Sequence, residues 1–440
     1  MLEEGRRLFG TDGVRGKANT ELTPEFVMDL GRAAADGITG QVLVGRDTRR
    51  SGPMLSEALM SGLQSGGIDT VDVGIIPTGA VSYLGRSTAT SYSAVISASH
   101  NPADDNGVKF FGADGSKLSD EREDMIETRL RQGAPWKAAR GASVGIHQVM
   151  ADGLDRYVDY LATTMPYTLV GVEIALDCAN GSAFMAAPRL FEKLKATVDV
   201  HFDAPDGLNI NDRCGATHPE ALARLADGKL GLAFDGDADR LIAIDEAGIP
   251  ANGDVLMAIM ARHLKEKGEL AGNTVVATKM SNLGFRRAME DLDIDVLEAE
   301  IGDRYVLEAM RAERLSLGGE QSGHMIFEDR TTGDGLVTAL RLLEVVAATG
   351  LPLTELRTIM TEYPQVLRNV TVPDRAALEG ADALWSAVED ASAELGDDGR
   401  VLVRASGTEP VVRVMVEAET STKAAEVADG LVAAVRAELG

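Results

Sequence analysis

The chain has 440 residues, 45% hydrophobic and 25% charged, so it reads as a folded globular protein too long for one core and divided into two to four domains. A formal net charge of −26 argues against nucleic-acid and anionic-membrane partners, because no basic stripe exists to hold phosphate backbones, and no apolar run reaches membrane-spanning length. Two cysteines without metal-like spacing, and an N-terminal MLEEGRRLFG without an apolar signal core, predict free thiols and a cytoplasmic location.

FGTDGVRG (9–16) comes first and sets Arg15 in a glycine-flanked turn, which spacing alone does not separate from a surface turn. Thr23-Pro24-Glu25 then offers an N-cap, a proline at the first helical position and an early acid. Ser51 is a candidate cap for the next helix, although Pro53 also fits a simple turn. One unit recurs three times: an apolar strand, a polar turn, an amphipathic helix and a second strand with an Asp-Val step. The copies are QVLVGRD (41–47) to TVDVG (70–74), GVEIALD (171–177) to TVDVH (197–201), and TVVATK (274–279) to DIDVL (293–297). Apolar runs alternating with helices predict parallel βαβ units, hence three tandem, similar α/β domains, whose sheets are expected to be mixed. The end of the chain differs. A proline-bearing segment at 363–373 reads as a linker, 376–394 as a helix, 401–420 as strand, turn and strand, and 422–439 as a final helix. That order suggests a smaller C-terminal α+β domain. The expected domains are 1–150, 151–250, 251–364 and 365–440.

Four further segments carry chemistry. AVISASHNPADDNGVKFF (94–111) ends an apolar strand in a Ser-Ala-Ser-His-Asn-Pro turn. The segment reads either as an ordinary loop or as an exposed Ser99 nucleophile at the carboxyl end of a strand. No G-x-S-x-G elbow surrounds Ser99, so a hydrolase triad is not expected. GLAFDGDADRLIAID (231–245) places Asp235, Asp237 and Asp239 at alternate positions between apolar runs. Three close carboxylates repel unless a cation neutralises them, and hard oxygen ligands suit Mg²⁺ or Ca²⁺. An EF-hand is rejected, although Glu246 falls at the twelfth position, because Arg240 replaces the sixth-position glycine and the flanks read as strands. GGEQSGH (318–324) offers Glu320, Ser322 and His324, as a plain loop or as groups for sugar hydroxyls and proton transfer. RASGTEP (404–410) with Arg413 combines two guanidinium forks with Ser406, Gly407 and Thr408, which suits a phosphate dianion or, alternatively, a solvated β-turn.

FGTDGVRG, ISASHNP, DGDADR, GGEQSGH and RASGTEP, in this order across essentially the whole chain, resemble the signature loops of the α-D-phosphohexomutase superfamily. The Gln of GGEQSGH and the Thr-Glu of SGTEP resemble its glucosamine branch. The resemblance implies four domains around a central active-site cleft and a phosphoserine at Ser99. It also implies one Mg²⁺ per chain, held by that phosphate with Asp235, Asp237 and Asp239. Glu320 and Ser322 would bind sugar hydroxyls, while Arg404, Ser406, Gly407, Thr408 and Arg413 would hold the non-reacting phosphate. His100 adjoins the carrier, and Arg15, Lys109, Arg240 and His324 would line the reaction centre, with Lys109 and His324 as proton-transfer candidates. The implied reaction interconverts glucosamine 6-phosphate and glucosamine 1-phosphate through a 1,6-bisphosphate, supplying UDP-N-acetylglucosamine for peptidoglycan. A homodimer is also suggested. The same mechanism on mannose or glucose phosphates, or a phosphosugar phosphatase, are the alternatives.

Overall fold

Thr23 caps the first helix as expected: its Oγ1 accepts from Phe26 N at 3.2 Å, and the helix runs Pro24–Ala34. The computed structural model describes residues 7–10, 12–406 and 410–440. It divides into two units, one of Met1–Met280 with Asp295–Thr358, the other of Ser281–Ile294 with Ile359–Gly440.

The larger unit holds three sheets, and each contains one copy of the repeat. Gln41–Arg46 pairs in parallel with Asp69–Ile75, Glu173–Asp177 with Thr197–His201, and Thr274–Thr278 with Asp295–Ala299. Antiparallel strands extend every sheet: Asp105–Gly112 beside Tyr92–Ile96, Leu241–Ile244 beside Leu230–Phe234, and Met325–Phe327 beside Leu317–Gly319. The sheets are therefore mixed. Central strands such as Tyr92–Ile96 and Leu230–Phe234 are buried throughout. Thr197–His201 is only half-buried, because it lies at the edge of its sheet and carries polar residues. The parallel pairing Arg46↔Ile96 brings two strand ends to the same sheet edge, which sets Asp47 beside Ser97.

The smaller unit is a three-stranded antiparallel sheet, in the order Gln365–Thr371, Val411–Ala418, Gly399–Ala405, covered by helices Asp382–Leu395 and Ser421–Leu439. The helix Leu283–Asp291 of the third repeat belongs to it. Asn282 explains why: its Nδ2 donates to Tyr363 O at 2.9 Å and to Glu417 Oε1 at 3.3 Å, while Leu283 N donates to Glu417 Oε2 at 2.9 Å.

Three local expectations are corrected. The segment read as a linker is largely the strand Gln365–Thr371. Pro364 and Pro373 lie just outside that strand, where a missing N–H costs no ladder bond, and VLRNVTV has the β-branched content of a strand. Ser51 makes no side-chain cap; its Oγ instead accepts from Asn106 Nδ2 at 2.9 Å. Arg15 is not in a turn but on the strand Val14–Lys17. Gly13, bridged to Gly10 just before that strand, has φ 77°, and a Cβ there would lie 2.3 Å from Val108 O, so glycine is what lets this strand dock.

Candidate active site

Ser99 is not the exposed hydroxyl that a strand-end nucleophile suggests; it is 1% exposed. Its backbone is left-handed (φ 51°), a conformation costly for a residue with a Cβ and maintained only where surrounding bonds over-determine it. Those bonds come from residues that sequence reasoning passed over. Ser97 Oγ donates to Asp47 Oδ2 at 2.6 Å and accepts from Ser99 N at 2.9 Å. Arg49, itself buried, pairs with Asp47 Oδ2 at 2.9 Å and donates to Ser99 O at 2.9 Å, Asn101 O at 2.8 Å and Asp105 O at 3.0 Å. Asn211 Nδ2 also donates to Ser99 O at 2.9 Å. The sequence signal was available: Asp47 and Arg49 follow the first repeat's strand, the same structural position as the Ser99 turn.

Ser99 Oγ donates to Asp235 Oδ2 at 2.6 Å, joining this turn to the acidic loop. Asp235, Asp237 and Asp239 are buried, and one carboxylate oxygen of each lies within 4.8 Å of the others. The flanks of the loop are strands Leu230–Phe234 and Leu241–Ile244, not the helices of an EF-hand. Gly236 allows the close approach, since a Cβ there would lie 2.6 Å from Ser99 O. Burial, then Asp239 and Asp237, push the Asp235 carboxyl well above its ordinary range. Asp237 Oδ1 and Asp239 Oδ1 are buried and accept no hydrogen bond among the described residues. A set of hard, crowded, under-satisfied oxygens fits a divalent cation.

Cations of the chain surround this cluster. Lys109 Nζ lies 3.3 Å from Asp239 Oδ2 and 3.5 Å from Asp237 Oδ2. Burial works against its charge, but Asp237, Asp239 and Asp12 outweigh that and keep it an ammonium. His324 Nδ1 is 3.6 Å from Asp239 Oδ1, and its Nε2 is 3.3 Å from Asp303 Oδ2. Burial again opposes, yet Asp239 and Asp303 push the imidazole up to about 10. Arg240 Nε stands 3.8 Å from Asp239 Oδ1. Arg15 pairs with Asp12 at 3.0 Å and reaches Asn101 Oδ1 at 3.5 Å. His100 Nδ1 is 3.4 Å from Ser99 Oγ; burial, then Arg240 and Arg15, push it down to about 4, so it is neutral at pH 7.

GGEQSGH is the turn of the hairpin Leu317–Gly319 to Met325–Phe327. Glu320 Oε1 accepts from Gly302 N at 3.1 Å, and burial raises its carboxyl pKa. Ser322 Oγ is buried and has no hydrogen-bond partner among the described residues. The larger unit thus gathers Arg15, Ser99, His100, Lys109, the three aspartates and Arg240 with His324, which stands beside Asp239 on the hairpin that carries Glu320 and Ser322. Sequence reasoning missed Asp12, Lys117 and Asp303 in the same surroundings.

In the smaller unit Arg404 and Arg413 face each other across the Gly399–Ala405 and Val411–Ala418 pairing. Burial and then Arg413 lower the Arg404 pKa, as expected of a pair of forks that an anion would relieve. Arg413 donates to Ser406 Oγ at 3.4 Å, and Arg375, a further cation not anticipated, donates to Ser406 O at 2.5 Å. Gly407 and Thr408 lie outside the described residues.

Among known proteins, the four domain models of the phosphoglucomutase/phosphomannomutase family match residues 6–135 (alpha/beta/alpha domain I), 155–248 (domain II), 252–363 (domain III) and 367–434 (C-terminal domain). The chain is 51% identical over 438 residues to a phosphoglucosamine mutase of Desulforudis audaxviator, covering 97% of each chain. It is 47% identical over 445 residues to that of Bacillus subtilis, covering 99% of each. A solved phosphoglucomutase/phosphomannomutase family protein of Burkholderia thailandensis superposes with a TM-score of 0.83 at 26% identity, over 100% of this chain and 98% of that one. The Aspergillus fumigatus N-acetylphosphoglucosamine mutase, solved with GlcNAc-6P and magnesium, shares the fold at a TM-score of 0.71 and 19% identity, over 100% of this chain and 97% of that one. Three mixed α/β sheets, a small α+β end and these matches over nearly the whole length lead to one conclusion: the chain belongs to the phosphoglucomutase/phosphomannomutase family and, within it, to the phosphoglucosamine mutases.

Proposed function

We propose that this chain is a phosphomutase that interconverts glucosamine 6-phosphate and glucosamine 1-phosphate, with Ser99 as the phosphoryl carrier. The observation that carries this reading is Ser99 Oγ, 2.6 Å from Asp235 Oδ2 beside a buried carboxylate triad, on a residue whose backbone carbonyl is anchored by Arg49 and Asn211. A sugar hydroxyl oxygen attacks the phosphorus of phospho-Ser99, the P–Oγ bond breaks, and a 1,6-bisphosphate forms. The hydroxyl proton leaves to a base and Oγ regains a proton, with Lys109, His324 and neutral His100 within the site for these transfers. The second half-reaction returns the other phosphoryl group to Ser99.

Asp235, Asp237 and Asp239, with the Ser99 phosphate, would hold Mg²⁺, which supplies charge neutralisation at phosphoryl oxygens when bound. Lys109, Arg240 and Arg15 add positive charge from the chain itself, and phosphoryl transfer asks mainly for such positioning and charge. Glu320 and Ser322 suit sugar hydroxyls, the unmatched Ser322 Oγ in particular. Arg404, Ser406 and Arg413 suit the non-reacting phosphate, and Gly407 and Thr408 are assigned to it from the sequence.

The test is an activity panel over glucosamine, glucose and mannose phosphates with Mg²⁺ and a hexose 1,6-bisphosphate, read by ³¹P NMR. Fastest turnover should fall on glucosamine phosphates. Faster turnover on mannose or glucose would overturn the substrate assignment, and net release of inorganic phosphate without isomer would indicate a phosphatase. Intact mass should show a phosphate increment mapping to residues 94–111, lost in Ser99→Ala together with nearly all turnover.

A further inference from the structure

Lys117 has no part in the reaction described above, yet it is buried, with a side chain 8% exposed. Its Nζ lies 2.8 Å from Asp12 Oδ1 and 2.6 Å from Asp303 Oδ2. Burial opposes the ammonium, and Asp303 and Asp12 outweigh it, so a charged lysine is held between two carboxylates. A buried ammonium is tolerated only when paired in this way. Both carboxylates then lead onward. Asp12 Oδ2 lies 3.0 Å from Arg15, and Asp303 Oδ2 lies 3.3 Å from His324 Nε2.

The three charges come from separate stretches of chain. Asp12 precedes the strand Val14–Lys17, Lys117 lies between Asp105–Gly112 and the helix Asp120–Gln132, and Asp303 is the first residue of the helix Asp303–Glu313. The residue before that helix, Gly302, donates its N–H to Glu320 Oε1 at 3.1 Å. Whatever fixes the start of this helix therefore fixes one partner of His324, whose Nε2 also accepts from Gly333 N at 3.1 Å, and one partner of Glu320.

We propose that Lys117 and Asp303 are positioning residues: the Asp12–Lys117–Asp303 bridge locks the start of the helix Asp303–Glu313, and so sets His324, Glu320 and Arg15 for the phosphoryl-transfer reaction. The inference rests on the function proposed above, but its geometric part concerns the resting protein. Misplacement of reacting groups by a fraction of an ångström acts on kcat more than on ground-state binding.

Asp303→Asn keeps the shape and removes the charge; Lys117→Met removes the hub and Lys117→Arg restores a cation. Asp303→Asn should lower kcat roughly 10–100-fold with KM changed less than about threefold, by loss of alignment. It should also shift the ¹⁵N resonances of the His324 imidazole in the resting protein. Lys117→Met should behave alike, Lys117→Arg should recover most of the loss, and the double variant Lys117→Met/Asp303→Asn should be no worse than the worse single, because the pair acts as one unit. A melting temperature that falls while kcat and the His324 resonances of the folded protein stay unchanged would make the bridge merely structural and overturn the proposal. Additive losses would overturn the shared role. Should the wild type fail to turn over glucosamine phosphates, the functional reading falls, while unshifted His324 resonances in Asp303→Asn would separately refute the positioning.

Discussion

Arg49→Met should loosen the turn that carries Ser99 and destabilise the larger unit. The guanidinium is buried, pairs with Asp47 at 2.9 Å, and bonds the carbonyls of Ser99, Asn101, Pro102 and Asp105. Methionine fills similar volume, so the cost comes from charge and hydrogen bonds rather than from a cavity. Removing one member of a buried pair leaves the other uncompensated, at about 3–5 kcal/mol, which for a unit of this size is roughly 4–7 °C in melting temperature. Burial holds the Asp47 carboxyl above its ordinary pKa even with Arg49 opposing it. Without Arg49 that pKa rises further, and the folded variant binds a proton more tightly than the unfolded chain. The protonated form's stabilisation is present below the unfolded carboxylate pKa and is lost as pH rises through the folded value. The melting deficit should therefore widen as pH rises above the ordinary carboxylate range. Released from Arg49, Ser99 O keeps only Asn211 among the described residues, and a displacement near 1 Å would lower kcat on the order of 10²-fold. Differential scanning calorimetry and steady-state kinetics measure both effects. A variant with wild-type melting and kcat within about threefold would refute the claim that Arg49 holds the carrier turn.

Gly236→Ala should cost activity more than stability, because its Cβ would meet Ser99 O at 2.6 Å and Asn211 Nδ2 at 2.8 Å; an unshifted Ser99 turn in a crystal of the variant would count against this. Chelation should stop turnover and added Mg²⁺ restore it, while Asp237→Asn should raise the Mg²⁺ concentration needed for half-maximal rate about tenfold or more; unchanged Mg²⁺ dependence would remove Asp237 from the ligand set. Asp177, pushed up to about 6 by burial despite hydrogen bonds from Gly215 N and Ala179 N, should titrate near that value by ¹³C NMR. Its raised pKa adds stability below the unfolded value, lost as pH rises through about 6; a midpoint below 4 would show that the two backbone bonds outweigh burial.

The sequence determined a good deal by local physics. Apolar runs followed by amphipathic helices specify the βαβ repeat, because a strand covered on both faces needs such a run and its crossover needs a helix. The alternation in DGDADR put three carboxylates on one short loop between strands, and Thr23-Pro24-Glu25 started a helix, since both depend only on neighbours in the chain. The candidate site residues were legible to the extent that each sits in a compact motif. Tertiary structure decided the rest. The burial of Ser99, the Asp47–Arg49–Asn211 anchor and the Asp12–Lys117–Asp303 bridge join residues between about 50 and 190 positions apart, and such pairings leave no periodic trace. The assignment of Leu283–Asp291 to the smaller unit, and of Gln365–Thr371 to a sheet rather than a linker, followed from the partners that Tyr363, Glu417 and the strand Val411–Ala418 supplied. A hydrogen bond or ion pair between distant segments is fixed by where folding places them, and only the folded chain shows which carboxylate each cation meets.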